Sequence, residues 1–190
     1  MIDLQSMQIF MEDINMKKLA ILLSLVFLLG ACGSKSSGSN ENNVADRIIE
    51  PYEVISHEEA EELLGITLEA AKDSGSEAVG LRIAYYDAEW GYLQISITQQ
   101  SAMPATQTQT PEDVFYGTKK MLVDTLEEVD GIGEEAFFEH GLHILQDGYY
   151  ITIMMAKYNE DILKMENLVT QEMYLEAGRL AVENLKRLSK

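Results

Sequence analysis

From Leu81 the chain alternates: Leu81, Ile83 and Tyr85 with Arg82, Ala84 and Tyr86, then Leu93, Ile95 and Ile97 with Tyr92, Gln94, Ser96 and Thr98. A period of two predicts two half-buried antiparallel strands, joined by a short hairpin over Asp87 to Gly91. The same period returns at Ala136 to Glu139, Leu142 to Gln146 and Tyr149 to Lys157. Asp147-Gly148 is a strong hairpin signal, because both central positions of such a turn need positive φ. A two-residue loop there sets Ile144 against Ile151, Leu142 against Ile153, His143 against Thr152 and Leu145 against Tyr150.

Between these strands the period lengthens. Ser56-His57-Glu58-Glu59 reads as a capping box that opens a helix with Ala60, Leu63 and Leu64 inward and Gly65 at its end. Ile66 to Ala71 fits a helical turn or a strand equally. Gln99 to Thr110 is a polar loop, and Pro111 opens a second helix to about Leu126, with Val114, Phe115, Met121, Leu122 and Leu126 on one stripe. A closing helix over Leu168 to Leu188 turns Val169, Met173, Ala177, Leu180, Ala181, Leu185 and Leu188 inward, with Lys186 and Arg187 favourable at its C-terminal dipole. Antiparallel strands with segregated helices define an α+β class, an antiparallel sheet flanked by helices. One such domain is expected over 45–190.

Acidic residues outnumber basic ones 32 to 14, a formal charge of −18. A surface of that sign repels phosphate backbones, so nucleic acid is excluded as a partner.

Upstream, Lys17 and Lys18 precede an apolar run from Leu19 to Leu29, closed by Gly30, Ala31 and Cys32, the chain's one cysteine. The run is too short for an ordinary membrane span and has the parts of an export signal. Leu29-Gly30-Ala31-Cys32 resembles the lipobox of bacterial lipoproteins, with Gly and Ala exchanged relative to the commonest order. That resemblance implies a signal peptide over 1–31, removal of which leaves Cys32 as a lipidated first residue. The Ser, Gly and Asn-rich stretch within 32–44 is then a flexible tether. The partner implied is the membrane, through lipid on Cys32, with the domain held at the cell membrane facing away from the cytoplasm. Asp3, Glu12 and Asp13 put negative charge ahead of a region that should be positive, so translation is expected to begin at Met16, making 1–15 a misassigned start. A single cysteine allows no intramolecular disulfide.

Candidate chemistry is sparse. No Gly-x-Ser-x-Gly elbow is present, and no cofactor or catalytic residue is expected. His140-Gly141-Leu142-His143 is the best metal candidate, with Glu135 and Glu139 nearby. Residues three apart on a strand face opposite ways, so both imidazoles reach one ion only if Gly141 breaks the strand. Asp124, Glu127, Glu128, Asp130, Glu134 and Glu135 crowd one connection but lack the EF-hand ladder, and a solvated acidic surface is the preferred reading. Gly131-Ile132-Gly133 has no following lysine for a phosphate loop and reads as a tight entry into the next strand. Tyr85, Tyr86, Trp90 and Tyr92 concentrate on the first hairpin and form the candidate interaction surface, since Tyr and Trp favour binding hot spots.

The early helix ending in Leu-Leu-Gly, the run Asp130-Gly131-Ile132-Gly133-Glu134-Glu135-Ala136-Phe137, the following hairpin and the closing amphipathic helix resemble small bacterial lipoproteins of the PsbP-like fold, including the LpqN type. The resemblance covers about Ile55 to Leu188 and implies an α/β/α sandwich with no catalytic residues to carry over. The expected function is a membrane-anchored binding or scaffold module for an envelope protein. Metal or small-ligand capture, and an enzyme built from acidic residues, are the alternatives.

Overall fold

The computed structural model describes residues 47–159 and 166–189. The readings placed on the signal segment, Cys32 and the tether lie outside the described residues. Seven strands form one antiparallel sheet, ordered β1-β2-β3-β7-β6-β5-β4. They are β1 (Lys72–Ser76), β2 (Leu81–Ala88), β3 (Gly91–Thr98), β4 (Glu127–Val129), β5 (Glu135–Phe138), β6 (Leu142–Gln146) and β7 (Tyr149–Lys157). Four α-helices accompany them: α1 (Pro51–Val54), α2 (His57–Leu64), α3 (Pro111–Met121) and α4 (Gln171–Leu188). The mixed α+β class stands.

Strand alternation sorts the side chains into two layers. Ala84, Tyr86, Leu93, Ile95, Ile97, Leu142, Ile144, Ile151, Ile153 and Met155 face inward, where they pack with Val54, Ala60, Leu64, Ala177, Ala181 and Leu185 of α1, α2 and α4. Helix α4 comes close because Gly178 has no side chain; a Cβ there would lie 2.5 Å from Leu142 Cδ2. On the outer face α3 contributes Phe115 to a smaller cluster with Phe137, Leu145 and Tyr150.

The β6–β7 register is the predicted one at all four pairs, with Asp147 at φ 50° and Gly148 at φ 73° in the turn. The Ser56 capping box also forms, its hydroxyl accepting from Glu59 N and Glu59 reaching back, and α2 ends at a left-handed Gly65. Gly131 and Gly133 are both left-handed around a buried Ile132 at the entry to β5, as expected.

Four expectations need correction. Helix α3 stops at Met121, five residues early, and a turn over 122–125 still lets Leu122 and Leu126 pack while Met121 is exposed. Helix α4 begins at Gln171 because Thr170 caps it by accepting from Met173 N. Its Leu180 is half-buried, and Tyr174 and Asn184 are buried instead. Residues 66–71 take neither helix nor strand, while the edge strands β1 and β4, which have no apolar alternation, pair through their backbones.

Buried polar side chains complete the ladder where strands run out. Strand β6 begins opposite Ile153, and past that point along β7 the Tyr174 phenol donates to Met155 O at 2.9 Å and accepts from Met155 N at 3.0 Å. Gln99 does the same for the incoming chain: its Oε1 accepts from Ile49 N at 2.8 Å and its Nε2 donates to Ile49 O at 2.7 Å. Buried amides left unpaired would each cost about 1–3 kcal/mol, so these side chains fix where the terminal segments lie.

Candidate functional site

The β2–β3 hairpin carries the aromatic residues singled out from the sequence, and the fold sends them to three places. Tyr86 leaves the candidate surface altogether. Its inward position puts it in the core at 0% exposure, where the phenol donates to Ile55 O at 2.7 Å. Burial pushes that phenol up to about 12. The sequence pattern places Tyr85 and Tyr86 side by side, and only the register of α1 and α2 decides which of the two is covered.

Tyr85 and Tyr92 share the outer face, stacked at 5.4 Å between ring centroids with 27° between planes. Both are half-buried, and burial raises both phenols. Gln94 lies opposite Tyr85 and Asp87 opposite Tyr92, and Asp87 accepts from Lys72 Nζ at 3.2 Å.

Trp90 sits in the two-residue loop Glu89-Trp90, between the paired Ala88 and Gly91. Its carbonyl accepts from Tyr158 N at 2.7 Å, which ties the hairpin tip to the end of β7. There Trp90 lines a groove of about 470 Å³ together with Ile66, Glu89, Lys157, Tyr158 and Leu168. Ile66, Trp90 and Tyr158 are half-buried, and Leu168 is 43% exposed. Lys157 Nζ donates to Leu64 O at 2.7 Å, so its charge caps the C-terminal dipole of α2. The groove therefore offers a mixed wall, with Ile66, Trp90, Tyr158 and Leu168 beside the polar Thr67, Glu89, Lys157 and Asn159. Sequence reasoning found Trp90 but missed Ile66, Tyr158 and Leu168. Those residues meet only because β7 pairs with β3, a contact between strands far apart in the chain.

The metal candidates part company. Gly141 does break the strand, as required, since its carbonyl accepts from Glu139 N at 2.9 Å in a tight turn. His140 sits in that turn at φ 54°, its side chain 87% exposed, 3.0 Å from Glu139 Oε1. His143 instead lies half-buried on the outer face, beside Phe137 and Tyr150. Its Nε2 is 3.2 Å from Glu139 O, its Nδ1 is 2.7 Å from Tyr150 Oη, and its ring stacks on Phe137 at 4.5 Å. Both ring nitrogens have protein partners, so the imidazole presents no free lone pair to an ion. Among the described residues no group of three or more His, Cys, Asp or Glu is placed to hold a metal.

The acidic connection resolves into separate contacts. Glu128 and Glu135 share Lys119, Glu134 accepts from Asp147 N at 2.9 Å, and Glu127 accepts from Gln171. No helix among the described residues is long and apolar enough to cross a membrane. Set against known protein families, curated proteins and solved structures, the chain matches none.

Proposed function

We propose that this protein is a lipoprotein of the cell envelope, tethered through lipid on Cys32 and facing away from the cytoplasm, whose α+β domain is a binding or scaffold module that works through the Trp90 groove. The observation that carries the reading is the position of the chain's one tryptophan, on the wall of a groove whose apolar members are not fully used by the fold. Tryptophan contributes large contact area at binding hot spots. An antiparallel sheet with helices on both faces supports the finer PsbP-like reading of the architecture, and the Leu29-Gly30-Ala31-Cys32 run supports the anchor. Two or three acyl chains, at about 0.8 kcal/mol per buried methylene, suffice for stable attachment.

A groove of about 470 Å³ falls inside the range of roughly 300–1,000 Å³ usual for small-ligand sites. That size favours capture of a small ligand as the second reading.

Because Trp90 is the sole tryptophan, its fluorescence reports on the groove directly. Titration with fractionated envelope extract should shift its emission in a saturable way, and Leu168→Asp should weaken the response. An emission spectrum indifferent to every fraction would remove the groove from consideration. Mass spectrometry of the native protein should find Cys32 acylated at the new N-terminus; a bare thiol there would remove the anchor.

A further inference from the structure

Several cationic side chains of this acidic domain sit against carboxylates. Arg47 pairs with Glu53, Lys72 with Glu69 and Asp87, Lys119 with Glu128 and Glu135, and Arg179 with Glu172. Lys157 meets no acid among the described residues, and unlike Lys120 and Lys186, which are exposed, it is half-buried, on the wall of the Trp90 groove. Its Nζ donates to Leu64 O at 2.7 Å. An ammonium has three N–H donors and no acceptor, so two donors are left for something else.

The ammonium stands where α2 runs into the groove. Leu64 closes that helix and Gly65 caps it, its Cα positioned so that a Cβ would lie 3.6 Å from Lys157 Nζ, and Ile66 and Thr67 line the groove directly after. Lys157 is paired with Gly91 in the β3–β7 ladder, one residue from Trp90. A positive charge is thus set beside Ile66, Trp90, Tyr158 and Leu168. The C-terminal end of α2 offsets about half an elementary charge at most. Glu89 shares the groove, yet it makes no ion pair with Lys157 among the described residues.

We infer that the groove takes a carboxylate carried on an apolar or aromatic body, with the carboxylate on Lys157 Nζ and the body against Trp90, Tyr158 and Leu168. The inference rests on the reading of the Trp90 groove as the binding site and adds the charge of what it binds. A partly desolvated ammonium with donors to spare is stabilised by an ionised acceptor, and such bonds are stronger and shorter than neutral ones. The formal charge of −18 repels anions at a distance. Salt screens that field over about 8 Å at physiological ionic strength, which leaves contact inside the groove to its own groups. A volume of about 470 Å³ suits a small molecule or the end of a chain. A free carboxylic acid and the C-terminus of a peptide both present this chemistry.

The test follows the emission of Trp90 in the full chain with two matched pairs of probes, hydrocinnamate against hydrocinnamide and N-acetylphenylalanine against its amide. Within each pair only the charge of the terminal group changes. The acid of at least one pair should bind about tenfold tighter than its amide, the size of one charge-assisted hydrogen bond. Preference confined to the first pair assigns a free acid, and preference that extends to the second assigns a peptide C-terminus. Lys157→Met should bring each acid down to its amide, Lys157→Arg should restore the difference, and Glu89→Gln should tighten the acids by removing a like charge. Equal binding of acid and amide by the wild type, or a preference that survives Lys157→Met, overturns the inference and leaves the groove standing as a site. Silence toward all four probes while envelope fractions still shift the emission does the same; silence toward both removes the groove as well. Should Lys157→Met fail to fold, the wild-type pairs and Glu89→Gln decide, with unchanged acid binding in that variant counting against the inference.

Discussion

On its inner face the sheet meets three helices across a continuous apolar layer, and on its outer face it meets one helix through four buried side chains, Phe115, Phe137, Leu145 and Tyr150. The difference lies in what each face asks of its cover. Inner residues such as Leu93, Ile95 and Ile153 are aliphatic and have no polar atoms to satisfy, so burial is all they need. The outer cluster includes the buried Tyr150 phenol, which is hydrogen-bonded to the half-buried His143 beside it. Cohesion on the inner side comes mainly from a broad aliphatic layer with a few paired phenols in it, and on the outer side from a small aromatic cluster beside one hydrogen-bonded imidazole.

The largest effect is expected from Ile153→Ala, which opens a cavity at the centre of the inner layer. Leu- or Ile-to-Ala changes of this kind cost about 2–5 kcal/mol. The loss should appear as a lower urea midpoint with all probes moving together. A change under about 1 kcal/mol would mean that the inner layer is not the cooperative core.

Phe115→Ala sharpens the same comparison from the other side. It removes the 0% exposed aromatic side chain by which α3 enters the outer cluster. Hydrogen exchange should speed up through Pro111–Met121 while α4 keeps its protection, since local and global opening have different free energies. If α4 loses protection in step with α3, the two faces form one unit and the contrast drawn above fails.

These two variants also mark how far the sequence could be read. Alternation gave β2, β3, β6 and β7 and the register across Asp147-Gly148, because period and turn chemistry are local. It could not assign Tyr85 and Tyr86 to their faces, since both are aromatic and the choice rests on α1 and α2 arriving from elsewhere. Strands β1 and β4 were illegible for the opposite reason: Lys72-Asp73-Ser74-Gly75-Ser76 has no apolar face, and only its backbone pairing with β2 makes it a strand. Of the candidate site, Trp90 was legible by type, whereas Ile66, Tyr158 and Leu168 join it through long-range pairing that no local pattern encodes.

Polar composition puts Gln99 at the start of a loop, yet it is a buried clamp on Ile49. Gln99→Leu keeps the volume roughly constant and strands one buried N–H and one buried carbonyl. A loss of about 1–3 kcal/mol is expected, with exchange quickened first around Ile49. An unchanged midpoint would mean that the segment before α1 pairs equally well without the amide.

The smallest effect should come from Tyr149, and its sign is the informative part. This inner-face side chain is 2% exposed, and its hydroxyl has no protein partner among the described residues. Burying an unpaired hydroxyl is unfavourable, and burial accordingly raises the phenol above its ordinary value, Asp147 adding to the shift. Tyr149→Phe removes that oxygen and leaves the ring in place, so the variant should gain up to about 1 kcal/mol in urea unfolding. Tyr174→Phe makes the identical chemical change at a phenol that both donates to and accepts from Met155, and it should lose about that much. Opposite signs for one substitution within a single core would show that pairing, and not the hydroxyl itself, decides the energetics there. A loss at Tyr149 instead would place an ordered water on its oxygen and make it a third paired phenol of the inner layer, beside Tyr86 and Tyr174.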